Sequence, residues 1–415
     1  MKQTIIEKII SNHCGKEVKA GEIVWMNLDY RTARDFGGAN VVKHFEKHFA
    51  PEAVADRKKT FFTFDCNVPA NTIPYANNQQ ICRVFAQNQN LRVFDVDAGI
   101  GSHVMIEEGM VLPGGTLVGT DSHLNIFGSV GAFGQGMGDQ DIAFAFRYGF
   151  TWFEVPPTMR IILNGKIKYP ATAKDVVLAV LGRIGSKGAL GRSIEFSGNV
   201  VESLDLSGRI TVSSMVTEMG GIIGFITPNE DILSSLKLLS GKYTLQPVHP
   251  DKGADYMETI EMDLSSLEPL AAAPPKPDNI KKVRDLKNVK VDSVFIGSCT
   301  NGRLEDFKIV SNVLRGHKVK SGVMLKIVPA TKKVFAEMLK RRMVEELFEA
   351  GAIVSNPGCG GCASGQIGMT GKGEVQVSTS NRNFRGKQGD GETYLASPAV
   401  QQCQLSGVIS ALHKD

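Results

Sequence analysis

The stretch VDSVFIGSCTNGRLEDFKIVSNVL at residues 291–314 decides the fold of this chain. Its apolar beginning, Val291–Ile296, is typical of a buried strand, and its periodic end, Leu304–Leu314, is typical of a helix. Between them, IGSCTNGR at 296–303 forms a polar, glycine-containing turn that carries a cysteine. A strand, a polar turn and a helix in this order indicate one unit of a sheet built from parallel strands.

The same alternation continues on both sides of this unit, which predicts the α/β fold class with mixed or parallel sheets flanked by helices. The remaining predicted elements are one long helix, Lys332–Ala350, and strands at Phe61–Phe64, Thr116–Val118, Met159–Leu163, Val323–Val328, Ala352–Val354 and Val375–Thr379.

Two proline-rich segments divide the chain of 415 residues into three predicted domains. The stretch at 269–278 has four prolines in ten residues, and such a stretch is expected to form neither a helix nor a central strand. A weaker break lies at Val155-Pro156-Pro157. The predicted domains are residues 1–157, 158–275 and 276–415, which agrees with the usual size of a domain.

Composition excludes several classes of protein. Hydrophobic residues make up 42% and charged residues 22% of the chain, which is typical of a soluble globular protein. No apolar run reaches the ~18 residues of a membrane span, and Glu and Lys interrupt the N-terminus where a secretory signal would be apolar. A net charge of +4 argues against nucleic acid as a partner. We expect a cytoplasmic protein.

Polar residues follow five predicted strands at the point where each strand ends. Because the carboxyl ends of parallel strands meet at one edge of a sheet, we expect these segments to form one polar pocket. They are Asp65-Cys66-Asn67, the segment 119–123 (GTDSH), the segment 297–303 (GSCTNGR), the segment 355–362 (SNPGCGGC) and the segment 378–387 (STSNRNFRGK).

The seven cysteines suggest a metal site. Their number is odd and no secretory signal precedes them, so a disulfide framework is not expected. Cys359 and Cys362 form a CxxC motif, and Cys299 lies in a matching turn. Three thiolates suit a cubane iron–sulfur cluster with one open iron, while a redox pair and purely structural thiols remain as alternatives. Cys14, Cys82 and Cys403 need no role beyond packing.

Candidate acid–base and binding residues lie in the same turns. Asp121 and His123 are two positions apart and would polarise or protonate a bound oxygen, and His103 and Glu218 are further candidates. Arg382 and Lys387 would pair with substrate carboxylates. The alternative for each is an ordinary structural role: a capping histidine, a helix-end carboxylate, a surface cation. The glycine-rich run at 128–138 lacks a phosphate-loop ending, so we predict close backbone packing there.

Together these motifs resemble the aconitase superfamily, and within it the short archaeal type of 3-isopropylmalate dehydratase or homoaconitase large subunit. The resemblance covers essentially the whole chain. It is carried by VGTDSH at 118–123, EMG at 218–220, IGSCTNGR at 296–303, NPGCGGC at 356–362 and SNRNF at 380–384.

The resemblance implies a hydro-lyase with a [4Fe-4S] cluster on Cys299, Cys359 and Cys362, whose fourth iron acts as a Lewis acid on a hydroxy di- or tricarboxylic acid. It also implies three domains without the mobile fourth, or swivel, domain, which a separate small subunit would supply. Carried over by position, the catalytic candidates are Asp65, Cys66, His103, Asp121, His123 and Glu218. The substrate-binding candidates are Arg382, Lys387 and Asn301.

Three positions depart from the family pattern. Cys66 stands where the family commonly has the histidine that protonates the departing hydroxyl, Lys387 replaces an arginine, and Ser214 replaces an asparagine. A thiol is a weaker acid than imidazolium, and lysine lacks the bidentate fork of arginine. Cys66 is therefore either an unligated thiol or a fourth iron ligand. The rival functions are dehydration of another small hydroxy acid, of dimethylmalate or citramalate type, and a non-catalytic cluster-based sensor.

Overall fold

The computed structural model of the chain describes residues 2–242, 244–286, 289–362 and 365–400, with a short strand at 409–410. Cys403 lies outside these residues. No helix in the described part has the length and apolar character needed to cross a membrane.

Twelve α-helices are present in the described part. They are α1 (Ile5–Cys14), α2 (Gly38–Phe49), α3 (Ile73–Gln89), α4 (Gly101–Glu107), α5 (Asp139–Tyr148), α6 (Ala173–Ile184), α7 (Asn199–Glu202), α8 (Leu206–Ser214), α9 (Glu230–Ser240), α10 (Leu304–Leu314), α11 (Lys332–Lys340) and α12 (Met343–Glu349).

Twenty strands accompany these helices. They are β1 (Ile23–Asn27), β2 (Tyr30–Arg34), β3 (Thr60–Thr63), β4 (Arg92–Phe94), β5 (Thr116–Gly119), β6 (Phe133–Gly136), β7 (Phe150–Glu154), β8 (Thr158–Asn164), β9 (Ser193–Ser197), β10 (Ile223–Ile226), β11 (Glu258–Asp263), β12 (Leu270–Ala272), β13 (Ile280–Lys282), β14 (Ser293–Ile296), β15 (Lys318–Val319), β16 (Met324–Ile327), β17 (Ile353–Val354), β18 (Val375–Ser378), β19 (Glu392–Ala396) and β20 (Ile409–Ser410).

Three sheets organise these strands, which confirms the predicted α/β class. The first sheet has the order β4-β3-β2-β5-β6 and is parallel throughout. The second has the order β10-β9-β8-β11 and is also parallel. The third has the order β13-β12-β19-β18-β14-β16-β17 and is mixed, because β12 runs antiparallel to both of its neighbours. Two-stranded ribbons, β1-β7 and β15-β20, complete the pairing.

The segment predicted to be a linker is partly wrong. Leu270–Ala272 forms β12, which lies between β13 and β19 in the third sheet. This is possible because these three residues lie between Pro269 and Pro274, so each has a backbone N–H to pair. The predicted domain bounds stay a prediction.

The helix predicted at Lys332–Ala350 is two helices, because Arg342 has the left-handed φ of 58°. Val334 and Met338 are buried on α11, and Met343 and Leu347 are buried on α12. The two pairs keep helical spacing, but Met338 and Met343 are five positions apart. One straight helix would therefore turn the second pair away from the core, and the break at Arg342 restores its direction. The helix predicted at Leu304–Leu314 is confirmed as α10.

Candidate active site

The predicted strand-end turns come together between the first and third sheets. Backbone and side-chain hydrogen bonds join them: Cys359 N donates to the carbonyl oxygen of Asp65 at 2.8 Å, and His103 Nε2 lies 2.9 Å from the carbonyl oxygen of Cys299. The second sheet contributes Glu218, from the turn of 3₁₀ helix at Met215–Met219 that follows α8. The side chains below thus share one buried region.

Cys299, Cys359 and Cys362 are buried free thiols that face one another. Burial raises the pKa of the Cys299 thiol well above its usual value, and the charges of Cys362 and Cys359 raise it further. The three sulfur atoms do not form a compact group within 4.8 Å among the described residues.

Arg34, at the end of β2, connects the acids to a cysteine. Its Nε and Nη2 donate to Asp65 Oδ1 at 2.9 and 2.5 Å, and its Nη1 donates to Asp121 Oδ1 at 2.8 Å. Nη2 also lies 2.9 Å from Cys359 Sγ. Burial alone would lower the pKa of Arg34, but Asp121 and Asp65 outweigh it and hold the pKa well above the usual value.

Asp35 fixes the turn that carries Asp65 and Cys66. Its carboxylate accepts the backbone N–H groups of Asp65, Cys66 and Asn67 at 3.1–3.3 Å and the side-chain amide of Gln79 at 3.1 Å. This set of donors holds the residues after β3 in a single conformation.

Asp65 and Cys66 lie beside Cys359, and the ligand atoms of all three are within 4.8 Å of one another. Burial raises the pKa of Asp65 to about 6, against the opposing charge of Arg34. Burial also raises the pKa of the Cys66 thiol well above its usual value, and the hydrogen bond with Cys359 adds to this. Cys66 is consequently a neutral thiol at neutral pH and a weaker acid than an exposed thiol.

Asp121, His123 and Glu218 form a chain of neighbouring polar side chains. His123 Nε2 lies 3.5 Å from Glu218 Oε1, and His123 N donates to Asp121 Oδ1 at 3.0 Å. Burial alone would raise the pKa of both carboxyls. Arg34 and His123 lower it for Asp121, and His123 and Arg382 lower it for Glu218, so both have a pKa below the usual value.

His103 is fully buried at the start of α4. Burial lowers its pKa to about 3, and the charge of Arg303 adds to this. A neutral ring donates its Nε2 proton to the Cys299 carbonyl oxygen, which leaves Nδ1 as an acceptor. Nδ1 has no hydrogen-bond partner among the described residues.

The predicted substrate-binding residues differ in their surroundings. Arg382 Nε donates to Glu218 Oε1 at 2.6 Å, and its side chain is 23% exposed. Burial raises the pKa of the Cys362 thiol, and the half-buried Lys387 lies close enough for its charge to oppose that rise. Asn301 instead directs its amide to Asp306 Oδ1 at 2.9 Å and Thr211 Oγ1 at 3.3 Å. Its predicted role in binding substrate stays a prediction.

Sequence reasoning missed Arg34, Asp35 and Lys174. Lys174 is fully buried on α6, and its Nζ donates to the carbonyl oxygens of Thr379 and Ser380 at 3.1 and 2.8 Å. It thereby holds the turn that carries Arg382. Arg34 ends a short run of strand character, YRTAR at 30–34, and Asp35 follows it, so their position at a strand end was visible in the sequence while their partners in the site were not.

The glycine-rich run at 128–138 packs closely, as predicted. A Cβ on Gly128 would lie 2.1 Å from the carbonyl oxygen of Gly224, and one on Gly136 would lie 2.6 Å from that of Asp121. No side chain larger than hydrogen fits at either position without a shift of backbone, and Gly136 allows the Asp121 turn to pack against β6.

An iron–sulfur cluster fits the residues present. Three buried free thiols converge, and burial keeps Cys299 and Cys362 protonated unless a metal ion displaces the protons. Buried polar atoms around them have no hydrogen-bond partner in the described part of the chain: His103 Nδ1, His123 Nε2 and Glu218 Oε2. Such atoms are expected where a ligand supplies the missing partners.

Comparisons with known proteins agree on one family. The model of the "Aconitase family (aconitate hydratase)" matches residues 7–404. The chain is 41% identical over 403 residues to a 3-isopropylmalate dehydratase large subunit of Archaeoglobus fulgidus, which covers 96% of each chain. It is 39% identical over 419 residues to a probable methanogen homoaconitase large subunit of Methanothermobacter thermautotrophicus, which covers 99% of this chain and 98% of that one.

A solved structure with a similar fold is the holo form of Thermococcus kodakaraensis aconitase X. The TM-score is 0.55 at 13% sequence identity, over 97% of this chain and 92% of that one. At this identity the similarity extends to the fold alone.

Proposed function

This chain belongs to the aconitase family, and on that premise we propose that it is the large subunit of an iron–sulfur hydro-lyase. The substrate class is a hydroxy di- or tricarboxylic acid of the 3-isopropylmalate or homoaconitate type. The observation that carries the proposal is the convergence of three buried free thiols with Asp65, Asp121, His123 and Glu218.

Cys299, Cys359 and Cys362 would hold the [4Fe-4S] cluster. When bound, the cluster supplies an iron without a protein ligand, which acts as a Lewis acid toward the substrate. Thiolate ligands favour soft metal chemistry of this kind.

Acidic and basic side chains of the chain are proposed to transfer the protons of the reaction. Loss of water requires a base that takes a proton from carbon and an acid that protonates the departing hydroxyl. The neutral thiol of Cys66 is the candidate acid, and Asp65, paired with Arg34, is the carboxylate beside it. His123, held between Asp121 and Glu218, is the candidate that relays a proton, and the resemblance assigns the base to the small subunit.

Arg382 is the proposed partner of a substrate carboxylate. In the structure its Nε pairs with Glu218, and the side chain remains partly exposed. A guanidinium can hold Glu218 with one edge and a carboxylate with its other N–H groups. Lys387 adds a second cation near Cys362.

The proposed partner is a separate small subunit, and both similar proteins named above are large subunits. The proposed location is the reducing cytoplasm, where the free thiols of the described part stay reduced.

The test is anaerobic reconstitution of the chain with iron and sulfide, alone and with the small subunit of the same organism. Each preparation is given a panel of hydroxy acids, and formation of the unsaturated acid is followed. We expect turnover only with both subunits and an intact cluster. Cluster formation without turnover of any acid would contradict the hydro-lyase, and salt-sensitive RNA retention by the cluster-free chain would favour the sensor.

A further inference from the structure

Arg34 occupies the point where the first sheet meets the cysteine turn of the third. It ends β2, a strand inside the first sheet, and its contact with Cys359 spans 325 residues of sequence. Its side chain is 12% exposed, and Asp65 is 1% exposed. The guanidinium is thus enclosed by groups of the protein itself.

The hydrogen bonds of Arg34 within the protein leave few N–H donors for a substrate. Nε, Nη1 and Nη2 make four hydrogen bonds, to Asp65 twice, to Asp121 and to Cys359 Sγ. A guanidinium has five N–H groups, so four are already engaged. Arg382 differs, because it makes two hydrogen bonds, to Glu218 at 2.6 Å and to Ser122 at 3.4 Å, and is about twice as exposed.

The charge balance explains why a cation is needed at this point. Asp65 and Asp121 both contact Arg34, and the thiolate of Cys359 would add a third negative charge once it holds a metal. Removing the guanidinium would leave these groups facing one another in a buried region, where repulsion is weakly screened.

We propose that Arg34 is a positioning residue, which fixes the side chains of Cys359, Asp65 and Asp121 relative to one another. Its hydrogen bond to Cys359 Sγ also sets the reduction potential of the cluster. The proposal rests on the cluster of the proposed function. Hydrogen bonds to cluster sulfurs and nearby positive charge stabilise the reduced, more negative cluster, so they raise its reduction potential. Arg34 supplies both.

The experiment compares Arg34→Lys and Arg34→Gln with Arg31→Lys as the matched control. Arg31 lies on the same strand and is 2% exposed, but it bonds Thr60 Oγ1 and the carbonyl oxygens of Leu28 and Asp56, away from the cysteines. The reconstituted proteins are titrated with reductant under electron paramagnetic resonance, and their loss of iron in air is timed.

We expect Arg34→Gln to shift the reduction potential to more negative values and to lose iron ~10–100-fold faster. Arg34→Lys should shift the reduction potential less, because lysine keeps the positive charge but lacks the bidentate guanidinium. Arg31→Lys should have the reduction potential and iron-loss rate of the wild-type protein. If the Arg34→Gln protein holds no cluster, the inference is tested by the reduction potential of Arg34→Lys, which should then be more negative than that of wild type. A potential and an iron-loss rate equal to those of wild type in Arg34→Lys and in any cluster-bearing Arg34→Gln protein would overturn the inference. A wild-type chain that takes up no cluster would instead contradict the proposed function.

Discussion

Replacing Asp306 by asparagine should remove a large part of the pH dependence of this protein's stability. Asp306 is the third residue of α10, and it accepts the backbone N–H of Arg303 at 3.0 Å and the amide of Asn301 at 2.9 Å. Burial raises its pKa from 3.8 to about 7, although these two donors oppose the shift.

The sign follows from the direction of the shift. Because the pKa of Asp306 is raised in the folded state, the folded protein binds this proton more tightly than the unfolded chain does. The resulting stability is fully present below pH 3.8 and is lost as the pH rises through about 7. At about pH 5 the contribution is roughly 3 kcal/mol, from about two pH units at ~1.4 kcal/mol each, and at about pH 8 it is close to zero.

Urea unfolding of wild type and Asp306→Asn at about pH 5 and about pH 8 measures this contribution. We expect the free-energy difference between the two proteins to change by roughly 2–3 kcal/mol between these pH values, in favour of the variant at the higher pH. Asp285→Asn removes an exposed carboxylate and controls for net charge. Parallel pH profiles for wild type and Asp306→Asn would refute the reasoning.

Other substitutions test separate features. Gly128→Ala should lower the free energy of unfolding by ~1–3 kcal/mol, because its Cβ meets the Gly224 carbonyl oxygen. In the control Gly138→Ala the new Cβ meets only a flexible side chain, so the free energy of unfolding should change little. Equal effects of the two substitutions would contradict the close packing at Gly128. Lys174→Met should cost ~1–3 kcal/mol in urea unfolding, since it leaves two buried carbonyl oxygens without a donor. Cys66→Ala should slow turnover yet leave the cluster's absorption spectrum and its loss of one iron unchanged; an altered spectrum would instead favour a fourth iron ligand.

The candidate site shows what a sequence pattern can and cannot predict. The turns after β3, β5 and β14 were predictable because apolar strands end in polar, glycine-containing segments, and this contrast is local. The role of Arg34 in the site was not predictable, because it depends on groups up to 325 residues away in the sequence. Its strand is largely buried on both faces, so no alternation distinguishes Arg34 from Arg31.

The errors in the fold have a similar cause. Proline density suggested a linker, but Leu270–Ala272 has free backbone N–H groups and finds a partner in β19, which begins more than a hundred residues later. Likewise, the helix propensity of 332–350 is continuous, and only the packing of Met338 and Met343 against the third sheet's core requires the break at Arg342. For the helix, local preference was correct for the element type and was overridden by tertiary contacts at Arg342; for the linker, tertiary pairing changed the element type itself.

The long sequence separations within the site have a consequence for how the protein is made. Hydrogen bonds join Arg34 to Cys359 across 325 residues, His103 to Cys299 across 196 and Glu218 to Arg382 across 164. At ~5–20 residues per second, ribosomal synthesis separates the first pair by roughly 15–65 s. During this interval Asp65 and Asp121 have been synthesised, but Cys359 has not. The site is therefore complete only after most of the chain has been synthesised, and a ligand that needs groups from both sheets binds no earlier than that.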